Sequence, residues 1–199
     1  METDMLKIIK QRRSEYNLDK KIKSTVSEIK EVVSYAIKHT PSAFNVQSSR
    51  VILLLNKHHD KFWSIVKEEL RKRVPPEKFA PTEEKINSFA NAFGTILFFE
   101  DDKLTEGLQT QYPRYKDNFP KWAEQGNGML QYCIWDLLTA LGLGASLQHY
   151  NPIIDNEVKK EWTVPANFRL IAQMPFGNVY KKADKKDFAP IKERLFIYK

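Results

Sequence analysis

Two short polar clusters hold the residue types best suited to chemistry in this chain. The first is Thr40-Pro41-Ser42-Ala43-Phe44-Asn45-Val46-Gln47-Ser48-Ser49-Arg50, which runs straight into the apolar stretch Val51–Leu55. It sets Ser42, Asn45, Gln47 and Ser48 between a helix-like segment and a strand-like one. Such side chains can hydrogen-bond a flat ligand without covering it. The second is Arg12-Arg13-Ser14. Guanidinium groups bind phosphate through charge-assisted, often bidentate bonds. A plainer reading is that two arginines closing a helix complement its dipole. Each cluster alone is a weak signal; together they point to a bound phosphorylated cofactor.

Other chemistries lack their residues. No GxGxxG or GxxxxGK[ST] loop occurs, which removes the main support for dinucleotide-binding and P-loop folds. The four histidines, His39, His58, His59 and His149, form no metal pattern with Cys or carboxylates. His58 and His59, at a helix start, read as solvated. No nucleophile elbow and no Ser–His–Asp signature is present. The single cysteine, Cys133, can form no intrachain disulfide and reads as a packed core residue. Its solitude suits a reducing compartment, most simply the cytoplasm.

At 199 residues, 42% hydrophobic and 29% charged, the chain fits one globular domain. No apolar run reaches the roughly 18 residues of a membrane helix. The opening Met1-Glu2-Thr3-Asp4-Met5 is acidic and lacks the apolar core of a secretory signal. The net charge of +7 admits a nucleic-acid partner. However, the basic residues are scattered among acidic ones and no recognition motif accompanies them. A solvated basic surface, attractive to anionic nucleotides, is the reading adopted.

The elements that must position the clusters follow from periodicity. Met5–Arg12 reads as a short helix. Thr25-Val26-Ser27-Glu28 is a capping box, and the helix behind it puts Val26, Ile29, Val33 and Ile37 on one face. Pro41 ends it. Val51–Leu55 reads as a strand buried on both faces. A helix over His58–Val74 stops at Pro75-Pro76, and Thr82 is expected to cap the next, with Ile86, Phe89, Ala90 and Phe93 inward. Thr95–Phe99 is a second buried strand. Asp101–Trp122 reads as an irregular aromatic excursion, either a lid or a pinned surface loop. Gly128–Leu143 is a helix with apolar residues nearly all round, central to the core or packed at a subunit interface. Asp155–Trp162 reads as a short helix, Phe168–Met174 as a third strand and Arg194–Tyr198 as a fourth. Strands and helices in this order give an α+β or three-layer arrangement around a small sheet.

The motifs, taken in order, resemble the nitroreductase family. Those motifs are Arg12-Arg13-Ser14-Glu15-Tyr16, Pro41–Gln47, the Leu141-Gly142-Leu143-Gly144 end of an apolar helix, Ser146-Leu147-Gln148-His149-Tyr150-Asn151-Pro152 and Lys186-Asp187-Phe188-Ala189-Pro190-Ile191. The closer match is the fatty-acid-repression-mutant-like branch, whose pattern is Arg-Arg-Ser/Thr-x-Tyr near the start and Ser-Leu-Gln-His-Tyr-Asn-Pro after the long helix. The resemblance implies a three-layer fold with a small, mostly antiparallel sheet surrounded by helices. It implies one domain over residues 1–199, with a segment from about 186 to 199 closing the cofactor site or the dimer. It also implies a homodimer that binds FMN and uses NADH or NADPH to reduce nitroaromatic or quinone-type acceptors in a ping-pong cycle.

Residue by residue, the resemblance implies that Arg12 and Lys186 hold the FMN phosphate, with Arg13 and Ser14 along the ribityl–phosphate side. Pro41, Ser42, Asn45 and Gln47 would reach the flavin from the partner subunit. Leu147, Gln148 and His149 would lie against the ring, with backbone N–H groups near N5. No side-chain acid or base is implied, because the flavin carries the chemistry. The chain departs from the family at Tyr16, where many members place a Lys or Arg near N1 and O2; Arg50 is a candidate to supply that charge. Two other functions compete: a flavin-binding redox sensor or stress- and lipid-response regulator with weak reductase activity, and a basic nucleic-acid-binding module without cofactor.

Overall fold

The apolar runs meet in one antiparallel sheet. The chain is described by a computed structural model over residues 3–199, so Met1 and Glu2 of the acidic opening lie outside the described residues. The strands are β1 (Asn17–Asp19), β2 (Ser49–Leu55), β3 (Gly94–Asp101), β4 (Gly144–Ala145) and β5 (Phe168–Lys181). Their order is β1-β5-β3-β2, with β4 also on β5. The helices are α1 (Asp4–Gln11), α2 (Val26–His39), α3 (Lys57–Arg71), α4 (Ala80–Ala90), α5 (Asp102–Gln111), α6 (Phe119–Ala140) and α7 (Asp155–Glu161).

Period-two alternation along β3 builds three layers. Ile96 and Phe98 face a cluster with Ile29 and Val33 of α2 and Leu130, Ile134 and Leu138 of α6. Leu97 and Phe99 face the opposite cluster, with Phe62, Trp63 and Val66 of α3, Ile86 and Phe89 of α4 and Val158 of α7. β5 runs 14 residues and serves first β3, then β4 and β1. The switch falls at Gly177, where a Cβ would lie 2.5 Å from the Asp19 carbonyl oxygen.

Several expectations need correcting. β2 is an edge strand, so most of Val51–Leu55 is half-buried rather than covered on both faces. On α2, Ile29, Val33 and Ala36 are buried, whereas Val26 and Ile37 face outward. The excursion 101–122 is mostly helical: its prolines open elements, Pro113 a 3-10 turn (Pro113–Tyr115) and Pro120 the first turn of α6, so that α6 begins nine residues before Gly128. Pro81 likewise lies in the first turn of α4, and the cap position falls on Phe79, not Thr82.

His59 is fully buried, not solvated. Its Nε2 lies 3.0 Å from the Ala90 carbonyl and its Nδ1 2.9 Å from Thr95 Oγ1, which also accepts from Trp63 Nε1. Since a carbonyl only accepts, Nε2 bears the proton and Thr95 donates to Nδ1. Cys133 is only half-buried. Arg194–Tyr198 forms no strand: Leu195, Phe196, Ile197 and Tyr198 are 56–93% exposed and have no strand partner. No helix among the described residues is long and apolar enough to cross a membrane.

Candidate functional site

Arg12 caps the C-terminus of α1 by donating its N–H to Ile8 O. Its guanidinium lies over two rings of α6, 4.7 Å from the Trp135 centroid and 5.8 Å from Tyr132. Arg12 Nε is buried without a hydrogen-bond partner, as is Trp135 Nε1. The chain then turns in beside β4: Ser14 bridges Ala145, and Glu15 N–H donates to Ala145 O at 2.9 Å.

Two bonds tie the strap after β5 to this corner. Arg13 Nη2 donates to Asp184 O at 2.7 Å, and Glu15 Oε2 accepts from Ala183 N–H at 2.8 Å. The strap thereby brings Lys181, Lys182, Lys185 and Lys186 around a cleft of about 500 Å³ with Arg12, Arg13, Ser14, Tyr16 and Asn17. Its one acidic lining residue is Asp184. Tyr16 is 48% exposed at its edge. Six cations around one acid give the cleft a positive potential that attracts anions. Among them, Lys181, Lys182 and Lys185 escaped the sequence reading, where they passed for solvated surface; their proximity in sequence to Lys186 was the available signal.

The segment after β4 presents a free edge. Gln148 exchanges both backbone bonds with Gln173 of β5, N–H to O at 2.7 Å and O from N–H at 2.9 Å. Tyr150 N–H donates to Gln173 Oε1 at 2.7 Å. Among the described residues, the intervening N–H groups of Leu147 and His149 donate to nothing. Of the three expected ring contacts, Gln148 therefore spends its own amide inside the protein and Leu147 and His149 keep theirs. Leu147 is half-buried and His149 exposed.

The loop over residues 41–47 forms a separate patch. Phe44, Asn45 and Gln47 have positive φ of 54°, 52° and 50°. This left-handed backbone costs non-glycine residues energy and persists only where its surroundings impose it. Phe44, 53% exposed, is held by the rings of Tyr112 at 4.9 Å and Phe119 at 5.4 Å, with Tyr115 and Trp122 beyond. Gln47 N–H donates to Ser42 Oγ at 2.9 Å. A cleft of about 350 Å³ opens here, lined by Thr40, Pro41, Ser42, Gln47, Ser49 and Arg50 against Ile37, Val51, Gly126 and Leu130. Asn45 is exposed beside it. Arg50 pairs with Asp101 at 3.0 Å and donates to Gln47 O at 2.7 Å, so its charge is already engaged.

Arg12, Arg13, Ser14 and Lys186 are thus brought together, and the Ser14–Ala145 bridge joins their corner to the strand leading into 147–149. Pro41, Ser42 and Gln47 line a cleft that shares no residue with the basic one. Among the described residues, no group of three His, Cys, Asp and Glu is arranged to hold a metal ion.

A small antiparallel sheet between helical layers, with a basic corner beside a strand edge of free amides, defines an α+β protein of the nitroreductase fold class. The chain belongs to the nitroreductase family: that family's model matches residues 9–178. Two Saccharomyces cerevisiae relatives bear on the branch. HBN1 is 35% identical over 191 residues, spanning 92% of this chain and 96% of HBN1. The nitroreductase FRM2 is 31% identical over 185 residues, spanning 92% of each. They place the chain in the fatty-acid-repression-mutant-like branch. Among solved structures, the Lactococcus lactis nitroreductase CinD in complex with chloramphenicol superposes with a TM-score of 0.91 at 38% identity, covering 98% of this chain and all of CinD.

Proposed function

We propose that this protein is an FMN-dependent NAD(P)H oxidoreductase that reduces nitroaromatic or quinone-type acceptors. The observation that carries the reading is the basic cleft, in which six cations face one acid and Arg12 Nε is buried without a partner. The donor set fits FMN at both ends. Arg12 and Lys186 would hold the phosphate, with Arg13 and Ser14 beside the ribityl chain, and the free amides of Leu147 and His149 would meet the ring. When bound, FMN supplies a ring that accepts a hydride from NADH or NADPH and passes reducing equivalents to a second substrate in a ping-pong cycle. The residues here would bind and orient it, and the N–H groups of Leu147 and His149 would favour the charge that reduction adds. CinD, bound to chloramphenicol, a nitroaromatic, supports the acceptor class.

We further infer a homodimer. The 41–47 loop stands apart from the basic cleft of its own chain, and Pro41, Ser42, Asn45 and Gln47 would serve the flavin of a second copy. The apolar tail also favours pairing, since Phe188, Ile191 and Phe196 are 67–77% exposed. Residues 1–199 would form a single domain, with 186–199 closing the cofactor site or the dimer. The lone Cys133 suits the cytoplasm. The strict test is anaerobic: NADH or NADPH should reduce the FMN of the purified protein, and a nitroaromatic or quinone should reoxidise it.

A second reading, a flavin-binding redox sensor with weak reductase activity, draws on Tyr16 at the cleft edge and on Arg50 being engaged by Asp101. A rate of NADH oxidation that does not rise with added acceptor would favour it.

A further inference from the structure

We propose that the Gln173 side chain is the positioning group that sets the His149 amide offered to the cofactor ring; this rests on the FMN reading above. Gln173 is fully buried in the middle of β5, between Ala172 and Met174 of the core. A primary amide in such a place is costly unless its donors and acceptors are paired. Here its pairings all go to one short segment. The backbone exchanges two bonds with Gln148, of 2.7 and 2.9 Å. The side chain reaches further: Oε1 accepts from Tyr150 N–H at 2.7 Å, and Nε2 donates to Asn151 Oδ1 at 3.2 Å.

These four bonds grip residues 148, 150 and 151. Because successive residues of an extended chain point their N–H groups to opposite edges, pinning Gln148 and Tyr150 inward turns Leu147 and His149 outward. Among the described residues, no other hydrogen bond ties backbone or side chain of 147–151 to the sheet. The adjoining Ser146 is itself pinned, by N–H donation to Pro175 O at 3.2 Å, and its Oγ accepts from Gln148 Nε2 at 3.0 Å. Leu147 is thus flanked by two backbone-pinned residues, Ser146 and Gln148, whereas the direction of the His149 amide depends on the Gln173 side chain, which holds Tyr150 on its far flank.

Gln173→Met keeps the length and the backbone bridge but removes both side-chain bonds. Gln173→Glu keeps the acceptor for Tyr150. Two readouts test the role. In FMN-free protein, hydrogen exchange at the Tyr150 amide should accelerate at least about tenfold in Gln173→Met and return toward wild type in Gln173→Glu. In FMN-loaded protein, Gln173→Met should bind FMN with nearly wild-type affinity, since the phosphate corner is untouched. Its preference for reduced over oxidised FMN should fall about tenfold, a midpoint potential about 30 mV lower. The Glu variant is read by exchange alone, because an added carboxylate shifts the potential by itself. An unchanged potential in FMN-loaded Gln173→Met overturns the proposal even if its melting temperature falls, and so does an unchanged Tyr150 exchange rate. A wild-type protein that takes up no FMN is a different failure: it removes the FMN reading and this proposal with it.

Discussion

Gln47→Gly separates stability from function in a single substitution. Gln47 sits at φ 50° and its side chain is exposed. The left-handed region costs a non-glycine residue about 1–2 kcal/mol, whereas glycine costs about 0.4–1 kcal/mol more entropy on folding. The bonds that hold residue 47 are backbone ones, N–H to Ser42 Oγ and O from Arg50, and both survive. Only the long 3.4 Å bond from Nε2 to Asn45 O is lost. The net expectation is a cofactor-free protein about 0.5–1 kcal/mol more stable, melting about 1–4 °C higher for a chain of this size. FMN affinity should move the other way. Losing one ring contact of about 0.5–1.5 kcal/mol weakens binding about 2- to 12-fold. Thermal melts of the cofactor-free protein and FMN titration by flavin fluorescence read the two effects. A melting temperature lowered by two degrees or more refutes the strain argument, and unchanged FMN affinity removes Gln47 from the site.

Three further predictions address the rest of the molecule. Arg12→Gln should weaken FMN by about 1.5–3 kcal/mol, roughly 10- to 150-fold, while leaving the affinity for riboflavin, which has no phosphate, nearly unchanged; parallel titrations of the two flavins check this. Burial holds His59 below its ordinary pKa, so it stays neutral in the fold. Above about pH 6.5 neither state is protonated there and the stability it contributes is complete. As pH falls below that, the unfolded chain takes up a proton that the fold refuses, and stability declines by up to about 1.4 kcal/mol per pH unit. Urea midpoints from pH 7.5 to 5 should accordingly slope less steeply in His59→Gln than in wild type. Gly177→Ala puts a Cβ 2.5 Å from Asp19 O and 3.0 Å from Phe93 N, both backbone atoms, and should cost about 1–3 kcal/mol; a melting temperature equal to wild type would contradict the close packing of β5 on β1.

What could be read from the sequence was what is local. The Thr25–Glu28 capping box is realised in both directions, Glu28 N–H to Thr25 Oγ1 at 3.2 Å and Thr25 N–H to Glu28 Oε2 at 2.7 Å. The apolar runs of β2 and β3 and the periodic faces of α3 and α4 were legible for the same reason. Prolines misled: Pro113 and Pro120 resemble breakers in a string of letters, yet stand where a helix tolerates them. His59 was missed because its polarity is satisfied by Thr95 and Ala90, more than thirty residues away. Part of the candidate site was legible because Arg12, Arg13 and Ser14 are adjacent in sequence. Gln173 was not, since a glutamine in an apolar strand carries no local signal of pairing with Gln148, Tyr150 and Asn151. The tail 194–198 has β-forming residues but no neighbour to pair with, and composition alone does not make a strand.

In the function proposed here, the basic cleft and the 147–149 edge bind FMN and present it to NAD(P)H. The most direct measurement is the visible absorption spectrum of the purified protein, recorded before and after NADH, then NADPH, in the absence of oxygen. Flavin bands that bleach with at least one of the two are expected. A colourless protein that also fails to take up added FMN would contradict the proposed function.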